Sequence, residues 1–368
     1  MRLTLLTAIT LALGLFLTAA RAQNPNPMDI RACTAIESDA QRLACYDHAT
    51  GRDQLPAAQK KSNEAAQPAP PGIVFSHEPP KVGTASASVA AQEPSPTGPS
   101  LLDSRWELSP ESKLGTFNLR GYKPITVMPF FASSNQNRQP TSPNPLNTVD
   151  TPQRLDNIES KFQLSLKTKI WQGVFGDAGD LWVAYTQASY WQVYNEPESR
   201  PFRETDYEPE AILTFDTHYD LWGWDGRLLG IGVNHQSNGQ SDPLSRSWNR
   251  VMGYLGFERE HWTVMLRPWW RVPEHGVDDN NPDISNYMGR ADMQIIREWN
   301  GQEFGLLLRH SLRGGSESHG AAQFTWSFPV AGNLRGYIEL FKGYGVTMID
   351  YNHNATYLGI GVSLLDWY

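Results

Sequence analysis

The chain has 368 residues, with 31 Lys and Arg against 39 Asp and Glu and a formal charge of −8. That balance offers no basic surplus to a nucleic acid, and the length suits one large domain or two small ones. The mean hydropathy of −0.47 excludes a helical membrane bundle but not a β-barrel, because half of each barrel strand faces a polar interior.

Met1 to Ala22 reads as a secretory signal. Arg2 supplies the charged start, Leu3 to Leu17 the apolar run, and Ala20-Arg21-Ala22 the small-residue cleavage pattern. No later window is apolar enough for a spanning helix. Residues 23–50 form a short segment whose Cys33, Ile36, Ala40, Leu43 and Ala44 recur at helical spacing. The only cysteines, Cys33 and Cys45, can bridge in an oxidising compartment. A straight helix would hold them about 18 Å apart, so a bridge requires a bend. Residues 51–105 are rich in Pro, Ala, Gln and Ser and read as a linker or disordered extension. A domain boundary is expected near residue 105.

From 106 to 368 the texture changes to about twelve short alternating runs. They fall near 116–131, 159–171, 179–193, 208–219, 228–238, 249–260, 262–272, 288–299, 303–312, 318–330, 334–345 and 355–368. A polar insertion separates the first two, with a short helix expected around Leu155 to Ser160. Phe162, Leu164 and Leu166 alternate with Lys161, Gln163, Ser165 and Lys167; Leu358, Ile360, Val362 and Leu364 oppose Gly359, Gly361 and Ser363. One apolar and one polar or glycine face, repeated this often, is the pattern of a lipid-exposed antiparallel barrel. Joints alternate between tight (Glu260-His261, Gly314-Gly315, Gly332-Asn333) and long (Asn195 to Asp206, Gln240 to Trp248, Pro273 to Tyr287). The chain ends on Asp366-Trp367-Tyr368, an aromatic terminus similar to the assembly signal of outer-membrane barrels. The soluble alternative is a β-sandwich or lipocalin-like barrel, which needs a second layer to cover so many apolar faces.

In the run 229–239, Leu229, Ile231, Val233, His235 and Ser237 share one face, and Gly230, Gly232, Asn234, Gln236 and Asn238 the other. A histidine and a serine therefore continue an apolar row. A serine becomes a nucleophile when a base takes its proton, and imidazole is the usual base. The base needs an orienter on its other nitrogen. Asn249 has the parity of Val251, Leu255 and Phe257 on the next run and can accept through its carbonyl oxygen without placing a charge in lipid. A polar girdle or an oligomer contact is the plainer reading of His-x-Ser by itself.

The run NHQSNGQSDPLSRSWNR over 234–250, SRPFRETDYEP over 199–209, NPDISNYM over 281–288 and GYG over 343–345 closely resemble the signature of the bacterial outer membrane phospholipase A family. The resemblance covers roughly 105–368. It implies a twelve-stranded barrel in the outer membrane of a Gram-negative bacterium that hydrolyses acyl esters of membrane phospholipids and depends on Ca2+. On matching positions Ser237 is the nucleophile, His235 the base and then acid, Asn249 the orienter, and the Gly239 N–H the oxyanion donor. The resemblance also implies an active homodimer with calcium at the junction. Its ligands would be the Gln240 carbonyl, the Ser245 hydroxyl and the Ser199 hydroxyl of a second copy. The family usually has Arg at the position of Gln240. A further calcium site would use an acidic residue of the 278–280 loop, matched loosely to Asp279. Gln187, with the parity of Leu181, Val183 and Tyr185, matches a polar contact of the dimer.

Overall fold

The computed structural model describes residues 100–366, together with Cys33, Ile36 and 38–49. The secretory signal, the linker at 51–99 and the terminal Trp367-Tyr368 lie outside the described residues.

The small N-terminal unit is a helix, α1 (Asp39–Ala49), with a Cys33–Cys45 disulfide and a Cα–Cα distance of 5.7 Å. The described helix begins at Asp39, so Cys33 lies outside it and the bridge does not have to span a continuous helix; residues 23–32 lie outside the described residues.

The large unit is a closed antiparallel β-barrel. Its strands are β1 (Leu119–Gly121), β2 (Ile125–Ser133), β3 (Ile158–Trp171), β4 (Asp180–Trp191), β5 (Phe202–Leu221), β6 (Trp224–Ser237), β7 (Ser247–Arg259), β8 (Trp262–Val272), β9 (Ala291–Trp299), β10 (Gln302–His310), β11 (Gly320–Ala331), β12 (Leu334–Tyr344) and β13 (Asn354–Leu365). β1 and β2 both lie along β3, at Leu166–Thr168 and at Ile158–Gln163. They are two parts of one wall position, interrupted at Lys123-Pro124, where proline has no N–H to give a ladder. The wall therefore has twelve strands. β3 bonds to both β2 and β4, and β13 to β2, so no edge is left open. Closure satisfies the backbone internally, the condition for crossing a bilayer with strands. No helix among the described residues is long and apolar enough to cross one.

At the short-turn end four hairpins close through two-residue links, and only β3–β4 has a longer one, residues 172–179. Asn300 and Gly301 have φ of 51° and 71°, and Trp222 and Gly223 of 55° and 81°. A pair of positive φ values is what a tight hairpin matching the strand twist needs. Trp171, Trp222, Trp262 and Trp299 are exposed at this rim, a ring of amphipathic side chains at a membrane interface. The Gly314-Gly315 joint instead belongs to the long connection 311–319, which carries a 3-10 turn, Gly315–Glu317. No helix forms around Leu155 to Ser160; the insertion carries a 3-10 turn at Pro145–Asn147, and β3 begins at Ile158.

β5 starts at Phe202, six residues before the expected run. Its inward row there is Glu204, Asp206, Glu208 and Glu210, of which the first two fall in the expected loop but face the lumen. There Glu208 meets Lys123 at 2.5 Å and Arg250 at 3.0 Å, and Glu210 accepts from Tyr254 Oη at 2.8 Å. Other luminal charges pair likewise: Lys161–Glu339 at 2.6 Å and Arg203 with Glu159 and Asp350, both at 2.8 Å. Buried charges persist only when paired and hydrogen-bonded.

A second helix, α2 (Leu101–Trp106), lies where the sequence places the end of the linker. It is capped by Ser100 and buries Leu102 and Trp106. Trp106 packs edge-on against Tyr122 and Trp182, and Lys167 Nζ sits 3.1 Å from its ring centre. This is a strong cation–π geometry that holds the segment inside the barrel.

Candidate active site

β6 leaves the Trp222-Gly223 turn and climbs to the long-loop rim. Along it Leu229, Ile231 and Val233 are exposed at 44%, 54% and 57%, while Leu228, Gly230, Gly232 and Asn234 are buried. The apolar row therefore faces outward, and His235 and Ser237 continue it. β7 pairs with β6 so that His235 lies opposite Asn249 and Ser237 opposite Ser247. The register brings the two amphoteric side chains together: His235 Nδ1 and Asn249 Oδ1 are 2.8 Å apart. The Asn249 carbonyl oxygen thus meets the imidazole on the outer wall, with Ser237 two residues along the same row.

Gly239 follows with φ 63°, and a Cβ there would meet the Tyr207 ring at 3.0 Å. Both the left-handed backbone and the close approach require glycine. Tyr207 itself lies opposite Ser237 across β5–β6, and Gln187 opposite Tyr207 across β4–β5. Gln187 Oε1 accepts from Tyr185 Oη at 3.0 Å. The outer wall thus carries a polar patch spanning β4 to β7 in an otherwise apolar belt.

The 238–246 loop is tied down from within. Buried Arg246 donates to the carbonyls of Pro243, Ser245, Thr141 and Asn147, and Asn147 Nδ2 donates to Asp242 Oδ1 at 2.8 Å. Gln240 turns its side chain to the lumen, where Nε2 donates to Glu204 Oε2 at 2.7 Å and Arg203 O at 3.2 Å. Ser245 Oγ accepts from Asn280 Nδ2 at 2.7 Å. Ser199 ends a 3-10 turn in the 192–201 loop at φ 62°, with an exposed side chain. Asp279 is buried, and its Oδ1 accepts from Arg271 Nη2 at 2.7 Å. The structure joins Asn280, not Asp279, to Ser245.

One residue at the site escaped the sequence reading. Glu274 Oε1 accepts from Asn249 Nδ2 at 3.0 Å, and Arg271 Nη2 lies 3.6 Å from its Oε2. Burial pushes the Glu274 carboxyl above its ordinary range, against the Arg271 guanidinium and the Asn249 amide. The signal was available: Trp262, Val264, Leu266, Pro268, Trp270 and Val272 form the outward row of β8, and Glu274 keeps its parity just beyond the strand.

A fold and a patch of this kind have close counterparts. The phospholipase A1 family model matches residues 102–364. The chain belongs to the phospholipase A1 family. A phospholipase A1 of Klebsiella pneumoniae is 42% identical over 210 residues, 56% of this chain and 71% of that one. The outer membrane phospholipase A of Escherichia coli superposes with a TM-score of 0.61 at 36% identity, covering 68% of this chain and 95% of that chain. The Salmonella typhi outer membrane phospholipase, solved as a dimer with bound calcium, matches with a TM-score of 0.60 at 36% identity over 68% and 94%. The protein is accordingly an outer-membrane phospholipase, an ester hydrolase.

Proposed function

We propose that this chain hydrolyses glycerophospholipid acyl esters through Ser237, His235 and Asn249, with Ca2+ and as a homodimer. The observation that carries the reading is the 2.8 Å His235–Asn249 contact on the hydrocarbon face, in the same row as Ser237. Substrate reaches such a site laterally, with its acyl chains still among lipid. Ser237 Oγ attacks the ester carbonyl and passes its proton to His235 Nε2. The tetrahedral oxyanion lies at the Gly239 N–H. Collapse breaks the acyl C–O bond, and Nε2 returns the proton to the departing lysophospholipid alkoxide. Water then repeats the sequence on the acyl-enzyme and releases the fatty acid.

The donor set fits calcium. The Gln240 side chain is engaged inward, so the oxygen donors that this loop would offer are the Gln240 backbone carbonyl and the Ser245 hydroxyl. Hard oxygen donors suit Ca2+, but two per protomer are too few, and the exposed Ser199 of a second copy would add the third. Bound there, the ion would supply positive charge to stabilise the developing oxyanion. Gln187, on the same wall, would lie in the shared face. Asp279, committed to Arg271, is the weaker ligand for any further ion.

The test is fatty-acid release from phospholipid in mixed micelles, with Ca2+ or chelator, for the wild type and Ser237→Ala. Calcium-dependent release lost in Ser237→Ala supports the reading. Silence of the wild type under both conditions points instead to a catalytically inert outer-membrane barrel.

A further inference from the structure

An asparagine in the orienting position poses a problem that an aspartate does not. A carboxylate presents oxygen to the imidazole either way round. An amide presents oxygen in one rotamer and NH2 in the other, and the two choose opposite tautomers. With Oδ1 facing Nδ1, the ring carries its proton on Nδ1 and Nε2 is a free base. With Nδ2 facing Nδ1, the proton moves to Nε2, which can no longer take one from Ser237.

We propose that Glu274 is a positioning residue for hydrolysis: its carboxylate fixes the Asn249 amide, and through it the His235 tautomer that can act as base. This rests on the Ser237–His235–Asn249 reading. Glu274 Oε1 lies 3.0 Å from Asn249 Nδ2, on the side of the amide away from the 2.8 Å contact to His235. A carboxylate oxygen only accepts. Turning the amide over would place Oδ1 against that oxygen with no proton between them and would leave the imidazole facing an NH2 group. Both contacts of the amide therefore favour one orientation, and the charged acceptor gives the stronger bias.

Glu274 is itself aimed. Arg271, on the last turn of the wall at the end of β8, stands 3.6 Å from its other oxygen. Arg271 is held in turn by Asp279 Oδ1 at 2.7 Å and by the Pro282 carbonyl at 3.0 Å. Asn281 closes the arrangement, its amide accepting from Ser247 N at 3.0 Å and donating to Ser247 O at 2.9 Å. The 273–283 loop is thereby pinned beside β7, and Glu274 has one direction in which to point.

The experiment measures kcat and KM in mixed micelles at saturating Ca2+ for the full chain and for Glu274→Ala, Glu274→Gln, Asn249→Asp and the Asn249→Asp/Glu274→Ala double variant. Glu274→Ala should lower kcat about 10- to 100-fold, the scale of one lost hydrogen bond to a charged group, with KM little changed. Glu274→Gln, which still offers a carbonyl oxygen, should recover most of that loss. In the Asn249→Asp background no amide remains to orient, so removing Glu274 should cost nothing or raise kcat by relieving the facing carboxylates. Equal losses in both backgrounds, a loss confined to KM, or an unchanged kcat in Glu274→Ala would overturn the proposal. If Glu274→Ala fails to assemble, Glu274→Gln and the double variant decide. Full activity of Ser237→Ala in the same assay would instead sink the triad reading on which the proposal stands.

Discussion

The inner and outer faces of this barrel both hold polar side chains in low-dielectric surroundings, and they handle them differently. Inside, charge is dense and compensated. Lys169 lies 2.8 Å from both Glu107 and Asp180, and those carboxylates are also met by Arg120 at 2.6 Å and Lys113 at 2.5 Å. Outside, the belt is apolar until the long-loop rim, where the neutral Gln187, His235, Ser237 and Asn249 share the wall and Glu274 accepts from the Asn249 amide. Compensated charge gives a rigid filling. Sparse dipoles on the outer wall leave the His235–Asn249 pair facing outward. The comparison shows that strand parity alone assigned the two jobs, since adjacent residues such as Asn234 and His235 fall on opposite sides.

The largest expected effect breaks the outer face. Asn249→Ala removes the acceptor for His235 Nδ1 and should lower kcat on the order of 100-fold or more, with the barrel still folded by heat-modifiable electrophoretic mobility. An unchanged turnover would take Asn249 out of the site.

Next comes a charge placed where only lipid should be. Ile231 is 54% exposed, and in a water-soluble protein a substitution there would be almost free. On a lipid-facing wall Ile231→Arg should cost about 2–4 kcal/mol, read as a shift of the urea unfolding curve in lipid vesicles. A shift below experimental error would argue that this row does not meet hydrocarbon.

A change on the inner face should be comparable but without effect on the chemistry. Lys169→Met leaves Glu107 and Asp180 each with one remaining cation, for a loss of about 3 kcal/mol. Fatty-acid release per folded molecule should stay near the wild-type rate. A drop in specific activity matching the Asn249 variant would mean that lumen and wall are coupled rather than separate.

The smallest effect is a pH dependence of the filling. Burial alone would push the Glu107 carboxyl up, but Lys169, the Leu114 N–H and Arg120 outweigh it and hold the group below its ordinary value of 4.5. A depressed carboxyl contributes stability that is present above its unfolded value and lost as pH falls through the folded one. The unfolding midpoint should therefore be flat near neutrality and fall only below about pH 4.5, with a shallower acid limb in Glu107→Gln.

Much of this was legible in sequence because a barrel strand is a period-two object. The alternation of Leu229 to Ser237 and of Asn249 to Phe257 fixed which side chains share a face, and the long run from 234 to 250 carried the family. Parity also placed Gln187, His235, Ser237 and Asn249 on one side of the wall. What alternation does not carry is register, which depends on how neighbouring strands slide past each other. Only the assembled β6–β7 pair put His235 opposite Asn249 at bonding distance. Nor does sequence show where a charged row turns inward: Glu204 and Asp206 read as a loop until the lumen supplied the Gln240 amide and the Met348 N–H as partners. Helix α2 had the same fate, since a short Leu-Leu-Asp-Ser-Arg-Trp stretch is too brief to be periodic and takes its place from Trp106 packing against distant strands. Glu274 marks the limit most clearly. Its parity was visible, but its role depended on one amide having two unlike ends and on a loop folded back to meet the right one.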